Sequence, residues 1–132
     1  MSDDTTDAWE RGAAKIAEVY GGAVPTIPKG AMAFYDVMLE TVFAAVWDRP
    51  GLDVRDRRLL VMGAVAAFGA TGTWKIQARA ALDNGELTPD QLRECVIQLA
   101  PYAGYPNVAD FAGATEQIIH EFTAAGDDRA DG

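Results

Sequence analysis

The stretch Leu59 to Ala70, LLVMGAVAAFGA, carries no charged or polar side chain. It is too short to cross a bilayer, which takes roughly 20 apolar residues. Wound as a helix it is apolar on every face, and such a helix is stable in water only when it is surrounded. The chain has 132 residues, enough for one hydrophobic core but not for two. It therefore has little protein of its own to wrap around this helix. The pattern predicts that neighbouring subunits complete the burial, and hence an obligate homo-oligomer.

Directly ahead of this run stands WDRPGLDVRDRR, which puts Arg55, Arg57 and Arg58 at the helix mouth. Cations are disfavoured there, because the macrodipole already presents partial positive charge. Two readings stay open. In one, Asp53 and Asp56 screen the arginines in a structural ion-pair network. In the other, an anion neutralises them, since a guanidinium's planar fork binds a carboxylate through two parallel hydrogen bonds.

Charge narrows the partners. Eleven basic against 20 acidic residues leave a net charge of −9 and a pI near 4.4, which repels phosphate backbones and argues against nucleic acid. The start MSDDTTD is acidic and polar, unlike a signal or transit peptide. The single Cys95 excludes an intramolecular disulfide and fits a reducing compartment. These features predict a soluble, cytoplasmic protein of one domain spanning residues 1–132, with a core from about 9 to 124 and flexible acidic ends.

No segment alternates as a strand does, and helix signals recur. Residues 5–20 place Trp9, Ala13, Ile16, Ala17 and Tyr20 on one face, closed by Gly21 and Gly22. VPTIPKG reads as a loop, since its prolines fix φ and remove donors. A second helix is predicted from about Ala31 to Trp47. A third, capped by Asp53, runs to about Ala70. Thr73 is expected to cap a fourth, ending where Gly85 can take a left-handed conformation. Thr88, Pro89 and Gln91 make a capping box for a fifth. The last is placed within about Val108 to Ala124, followed by the frayed tail GDDRADG. The predicted fold is all-α, with about six helices.

RPGLDVRDRRLL, ARAALDNGELTPDQLRE and LAPYAGYP, in that order, resemble the carboxymuconolactone decarboxylase family of the alkylhydroperoxidase D-like superfamily. WERGAAKIAEVYGG is similar to that family's first helix. The resemblance implies a helical fold packed as a trimer or hexamer, sites near subunit contacts, and no metal or other cofactor. It also implies decarboxylation of a small cyclic acid from aromatic breakdown. Where its decarboxylases usually carry histidines, this chain has Gln77 and Gln98, and Ala45 replaces a common acidic residue. The peroxidase branch requires a Cys-x-x-Cys pair, so one cysteine argues against thiol peroxidase chemistry.

The resemblance makes Arg57 the matching arginine, and thus the candidate clamp for a substrate carboxylate or enolate. Gln77 and Gln98, implied to point toward one place, are candidate donors to an enolate oxygen. Neither can shuttle protons, because an amide has no accessible pKa. Glu40 stands where some relatives carry a carboxylate and is the candidate acid, provided that it is buried. Glu94, Gln98 and Tyr102 share a helix face at four-residue spacing, and Pro101 frees the carbonyl of Ile97. Trp47, Trp74, Tyr102 and Tyr105 are candidate substrate-binding residues, although such aromatics are more often core and interface anchors. His120 and Cys95 have no companions at metal-ligand spacing. Three functions remain: a cofactor-independent lyase or isomerase, a non-catalytic binder of a small anionic or cyclic molecule, and a structural oligomer.

Overall fold

In a computed structural model the backbone of residues 2–131 and the side chains of residues 8–127 are described. Most of the described residues are helical, with no strand among them. They divide into two compact units, Met1–Arg57 and Arg58–Gly132.

The first unit holds α1 (Ser2–Tyr20) and α2 (Ala33–Met38), which continues without a break as a π-helix over Leu39–Trp47. Periodicity does not predict the π-helical winding, and an ordinary helix is the expectation across that whole span. The first helix packs along the π segment so closely that a Cβ at Gly12 would collide with the carbonyl of Leu39. Glycine is what permits that approach. Ile16, Val19, Leu39, Phe43 and Trp47 are buried there. Tyr20 meets Phe43 edge-on with ring centroids 5.8 Å apart, and Phe43 stacks on Trp47 at 6.2 Å. The proline-rich loop is tied down by Asp36, whose carboxylate accepts from Trp9 Nε1 at 2.8 Å and from the Gly30 amide at 3.1 Å.

Helix α3 (Val54–Phe68) begins at the end of the first unit and enters the second. The second unit continues with α4 (Thr71–Asp83), α5 (Pro89–Ala103) and α6 (Tyr105–Asp131). Its core gathers Met62, Val65, Ala66, Trp74, Leu82, Leu92, Phe111 and Ile118 among others. The capping box of α5 forms as the sequence spells it: Gln91 N donates to Thr88 Oγ1 at 3.1 Å, and Thr88 N donates to Gln91 Oε1 at 3.0 Å. Gly85 takes φ +70° just beyond α4.

Helix α3 is not surrounded within one chain, in keeping with the expectation that the chain has little protein to wrap it: Met62, Val65 and Ala66 are buried, whereas Leu60 and Phe68 are exposed. Two helix starts and ends need correction. The fourth helix starts at Thr71 with Ala70 as its N-cap and no side-chain cap, so Thr73 lies inside it. The last helix starts at Tyr105 and stays helical to Asp131, so the backbone does not end its helix near Ala124. The expected flexible ends fall partly on residues 1–7 and 128–132, whose side chains lie outside the described range.

Candidate functional site

The polar centre of the second unit is built on Arg58. It stands four residues before Met62 and seven before Val65, so helical winding puts all three on the buried face of α3. Its side chain is 0% exposed. Burying a guanidinium costs several kcal/mol unless a carboxylate neutralises it and every donor finds an acceptor. Glu86 does the first: Arg58 Nε donates to Oε1 at 2.9 Å and Nη2 donates to Oε2 at 3.2 Å. Gln77, 3% exposed on α4, accepts from Arg58 Nη1 at 2.8 Å. Asn84 Nδ2 also donates to Glu86 Oε2, at 3.1 Å. Among the described residues no buried side-chain nitrogen or oxygen is left without a hydrogen bond.

The pairing orients Gln77. Arginine only donates, so the amide atom facing it has to be the oxygen. The –NH2 end of Gln77 is thereby fixed as a donor. Glu86 is set by the turn between α4 and α5, where its amide donates back to Ala81 O at 2.9 Å.

The other residues picked out by the sequence are placed differently. Arg57 is half-buried and braces a turn, with Nε donating to Leu52 O at 3.2 Å and Nη2 to Arg49 O at 2.9 Å. Glu40 is exposed on the π segment, so the burial required of it as an acid is absent. Trp47 belongs to the aromatic cluster of the first unit. Trp74 is fully buried, stacked on Phe111 at 4.7 Å, with Nε1 donating to Thr115 Oγ1 at 2.9 Å. That makes it a core anchor rather than a surface for substrate. Gln98, Tyr102 and Tyr105 are exposed, so Gln98 takes no part in the buried cluster that holds Gln77.

Sequence reasoning notes Arg58 but favours its neighbour Arg57, and it misses Glu86. Arg58 carries a signal, its spacing to Met62 and Val65. Glu86 carries none, because its partner lies 28 positions away.

A second polar group lies on the surface of this unit. Helices α5 and α6 leave an open groove of about 430 Å³ lined by Arg93, Val96, Ile97, Ala112, Gly113, Thr115 and Glu116. Arg93 Nε and Nη2 each donate to the Glu116 carboxylate at 2.9 Å, and Nη1 donates to Asp90 at 2.8 Å. These bonds hold the Glu116 carboxyl below the usual carboxylate range and raise the Arg93 guanidinium above its own. No group of three or more histidine, cysteine, aspartate or glutamate side chains able to hold a metal occurs among the described residues. None of the described helices is long and apolar enough to cross a membrane.

The profile of the carboxymuconolactone decarboxylase family matches residues 33–117, which include Arg58, Gln77 and Glu86. The chain belongs to that family. It is 30% identical over 92 residues to a nitrosuccinic acid decarboxylase of Metarhizium robertsii, an alignment covering 70% of this chain and 64% of the relative. It is 32% identical over 73 residues to a 4-carboxymuconolactone decarboxylase of Acinetobacter baylyi, covering 55% and 54%. A 15.0 kDa protein of Paracoccus denitrificans, itself uncharacterised, is 34% identical over 85 residues, covering 63% and 58%. The chain thus matches between about half and two thirds of the length of these curated relatives.

Proposed function

We propose that this carboxymuconolactone decarboxylase family member is a cofactor-independent, decarboxylase-like lyase or isomerase acting on a small anionic acid in the cytoplasm. The substrate class is an unsaturated cyclic acid or a related metabolite of aromatic breakdown. The two relatives named as decarboxylases are named for a nitro-substituted dicarboxylic acid and a carboxylated lactone. Both names describe a carboxyl on a carbon skeleton that also bears an electron-withdrawing group, which can take up the electron pair left by departing CO2.

One observation carries the reading: Gln77, at a position where the resemblance puts a histidine, is buried and pinned by Arg58 at 2.8 Å. A pre-oriented neutral donor stabilises a developing enolate oxygen without reorganising during the reaction. A glutamine cannot supply the proton that returns to carbon, so a carboxyl group or water supplies it. The competing observation is that Glu86 already saturates the charge of Arg58, which suits a purely structural cluster.

Self-association is part of the proposal. Leu60, Phe68, Ile97, Tyr102 and Tyr105 are all exposed in the second unit, and exposed apolar surface of that extent favours a partner. A trimer or hexamer of this chain supplies one.

The test is CO2 release from 4-carboxymuconolactone, nitrosuccinic acid and a panel of carboxylated lactones. Turnover of one of them, lowered roughly 10²-fold by Gln77→Leu, is the expected result. No CO2 from any of them, with a chain that folds and binds none of them, overturns the reading in favour of a structural oligomer.

A further inference from the structure

We infer that Arg58 is a carboxylate-binding site whose fork is filled by Glu86, and that a small external carboxylate exchanges with Glu86 there. The identity of that carboxylate as a substrate rests on the function proposed above; the binding event does not.

Glu86 meets Arg58 through the Nε and Nη2 edge, oxygen against nitrogen, at 2.9 and 3.2 Å. That two-point fork is how a guanidinium takes up any carboxylate, free or attached to the chain. Glu86 is also the more exposed partner of the ion pair. Its side chain is 8% exposed, against 0% for Arg58. An anion from solution thus approaches Arg58 past the carboxylate already there.

The backbone allows the exchange. Glu86 lies on the turn between α4 and α5, its amide tied to Ala81 O and that of Gly85 to Leu82 O. In the exchange the Glu86 side chain turns outward about its own bonds while its backbone amide stays tied to the turn. The exposed Asn84, which donates to Glu86 Oε2 at 3.1 Å, can follow it outward. Arg58 has no such freedom, since a wholly buried guanidinium has to keep an anion beside it. Exchange of one carboxylate for another leaves the buried charge balanced before and after.

The position also suits the chemistry. Arg58 Nη1 is taken by Gln77, so a carboxylate on the Nε and Nη2 edge lies next to the glutamine amide. The carboxylate and the amide oxygen of Gln77 are then held by one guanidinium.

Removing the internal occupant exposes the site to a probe. The variants Glu86→Ala and Glu86→Gln are melted in increasing sodium formate, with sodium chloride at equal ionic strength as control. Formate is expected to raise the melting temperature of each with the logarithm of its concentration, by roughly 5 °C at about ten times its dissociation constant. Wild type shows a much smaller rise, because Glu86 competes. The effect disappears when Arg58→Met is added. If Glu86→Ala does not fold, Glu86→Gln keeps the shape of the side chain, and its response to formate decides in the same way. Chloride acting as well as formate, a formate effect that survives Arg58→Met, or no effect in a folded variant overturns the inference. Formate binding without any CO2 release retains the site and removes only the decarboxylase reading.

Discussion

The second unit builds the same motif twice, once inside and once on its surface. Arg58 grips Glu86 through Nε and Nη2 and offers Nη1 to a third group, Gln77, at 2.8 Å. Arg93 grips Glu116 through the same two nitrogens and offers Nη1 to Asp90, also at 2.8 Å. The surroundings differ: the side chains of the inner pair are 0% and 8% exposed and those of the outer pair 41% and 56%. The third partner differs with them. Outside, one cation faces two carboxylates, and water carries the surplus negative charge. Inside, one cation faces one carboxylate and a neutral amide, so no surplus charge is buried. The comparison explains Gln77 physically, as an acceptor for the guanidinium Nη1 that adds no charge to the core.

The largest effect tests that contrast directly. Glu86→Ala leaves a guanidinium stranded away from water and is expected to destabilise the fold by about 3–5 kcal/mol in urea titration. Arg58→Met should cost less, because Glu86 can turn outward toward Asn84 and solvent. Replacing both with methionine should recover much of the loss, since a packed apolar pair can substitute for a buried ion pair. If Glu86→Ala costs no more than Glu116→Ala, burial is not what separates the two motifs.

How far the sequence discloses these features depends on the range of the interaction. The capping box of α5 and the turn at Gly85 use residues within a few positions of one another, and both form where the sequence places them. The all-α fold follows from helical periodicity in the same way. The site is different. Arg57 and Arg58 are neighbours of one chemical type, and choosing between them requires the register of α3, which Met62 and Val65 reveal. Arg57 instead serves a turn through backbone carbonyls. Glu86 pairs across 28 positions, and no local rule carries that far. The π-helix over Leu39–Trp47 is equally hidden, because the apolar pattern is compatible with either winding.

A second substitution makes the inner motif resemble the outer one. Gln77→Glu puts a second carboxylate beside Glu86, and burial next to a like charge favours its protonated form. Its folded pKa then lies above the unfolded value, so the folded chain binds the extra proton and stability falls as pH rises. The expected loss is about 1–3 kcal/mol at neutral pH, shrinking as the pH is lowered toward the ordinary carboxylate range. A loss that did not vary with pH would place the cause in packing rather than charge. Thr88→Ala, which removes the cap of α5 but none of the hydrogen bonds of either motif, should cost about 1 kcal/mol.

The smallest effect belongs to the outer motif. The hydrogen bonds from Arg93 hold the Glu116 carboxyl below its ordinary value of 4.5. A lowered folded pKa means that the pair stabilises the chain above the unfolded value and that this contribution is lost as pH falls through the folded one. The window therefore lies below about pH 4.5. Both groups are open to water, where ordering two long side chains offsets most of the attraction and salt screens the remainder. Arg93→Ala should accordingly lower the neutral-pH melting temperature less than any substitution above. The gap from wild type should close in acid, and also at neutral pH in molar salt, where screening replaces protonation. A gap that persisted in molar salt would mean that Arg93 acts by packing against the wall of the α5–α6 groove, through its apolar stem rather than its charge. The outer motif would then resemble the inner one in kind, and the contrast between them would be one of degree.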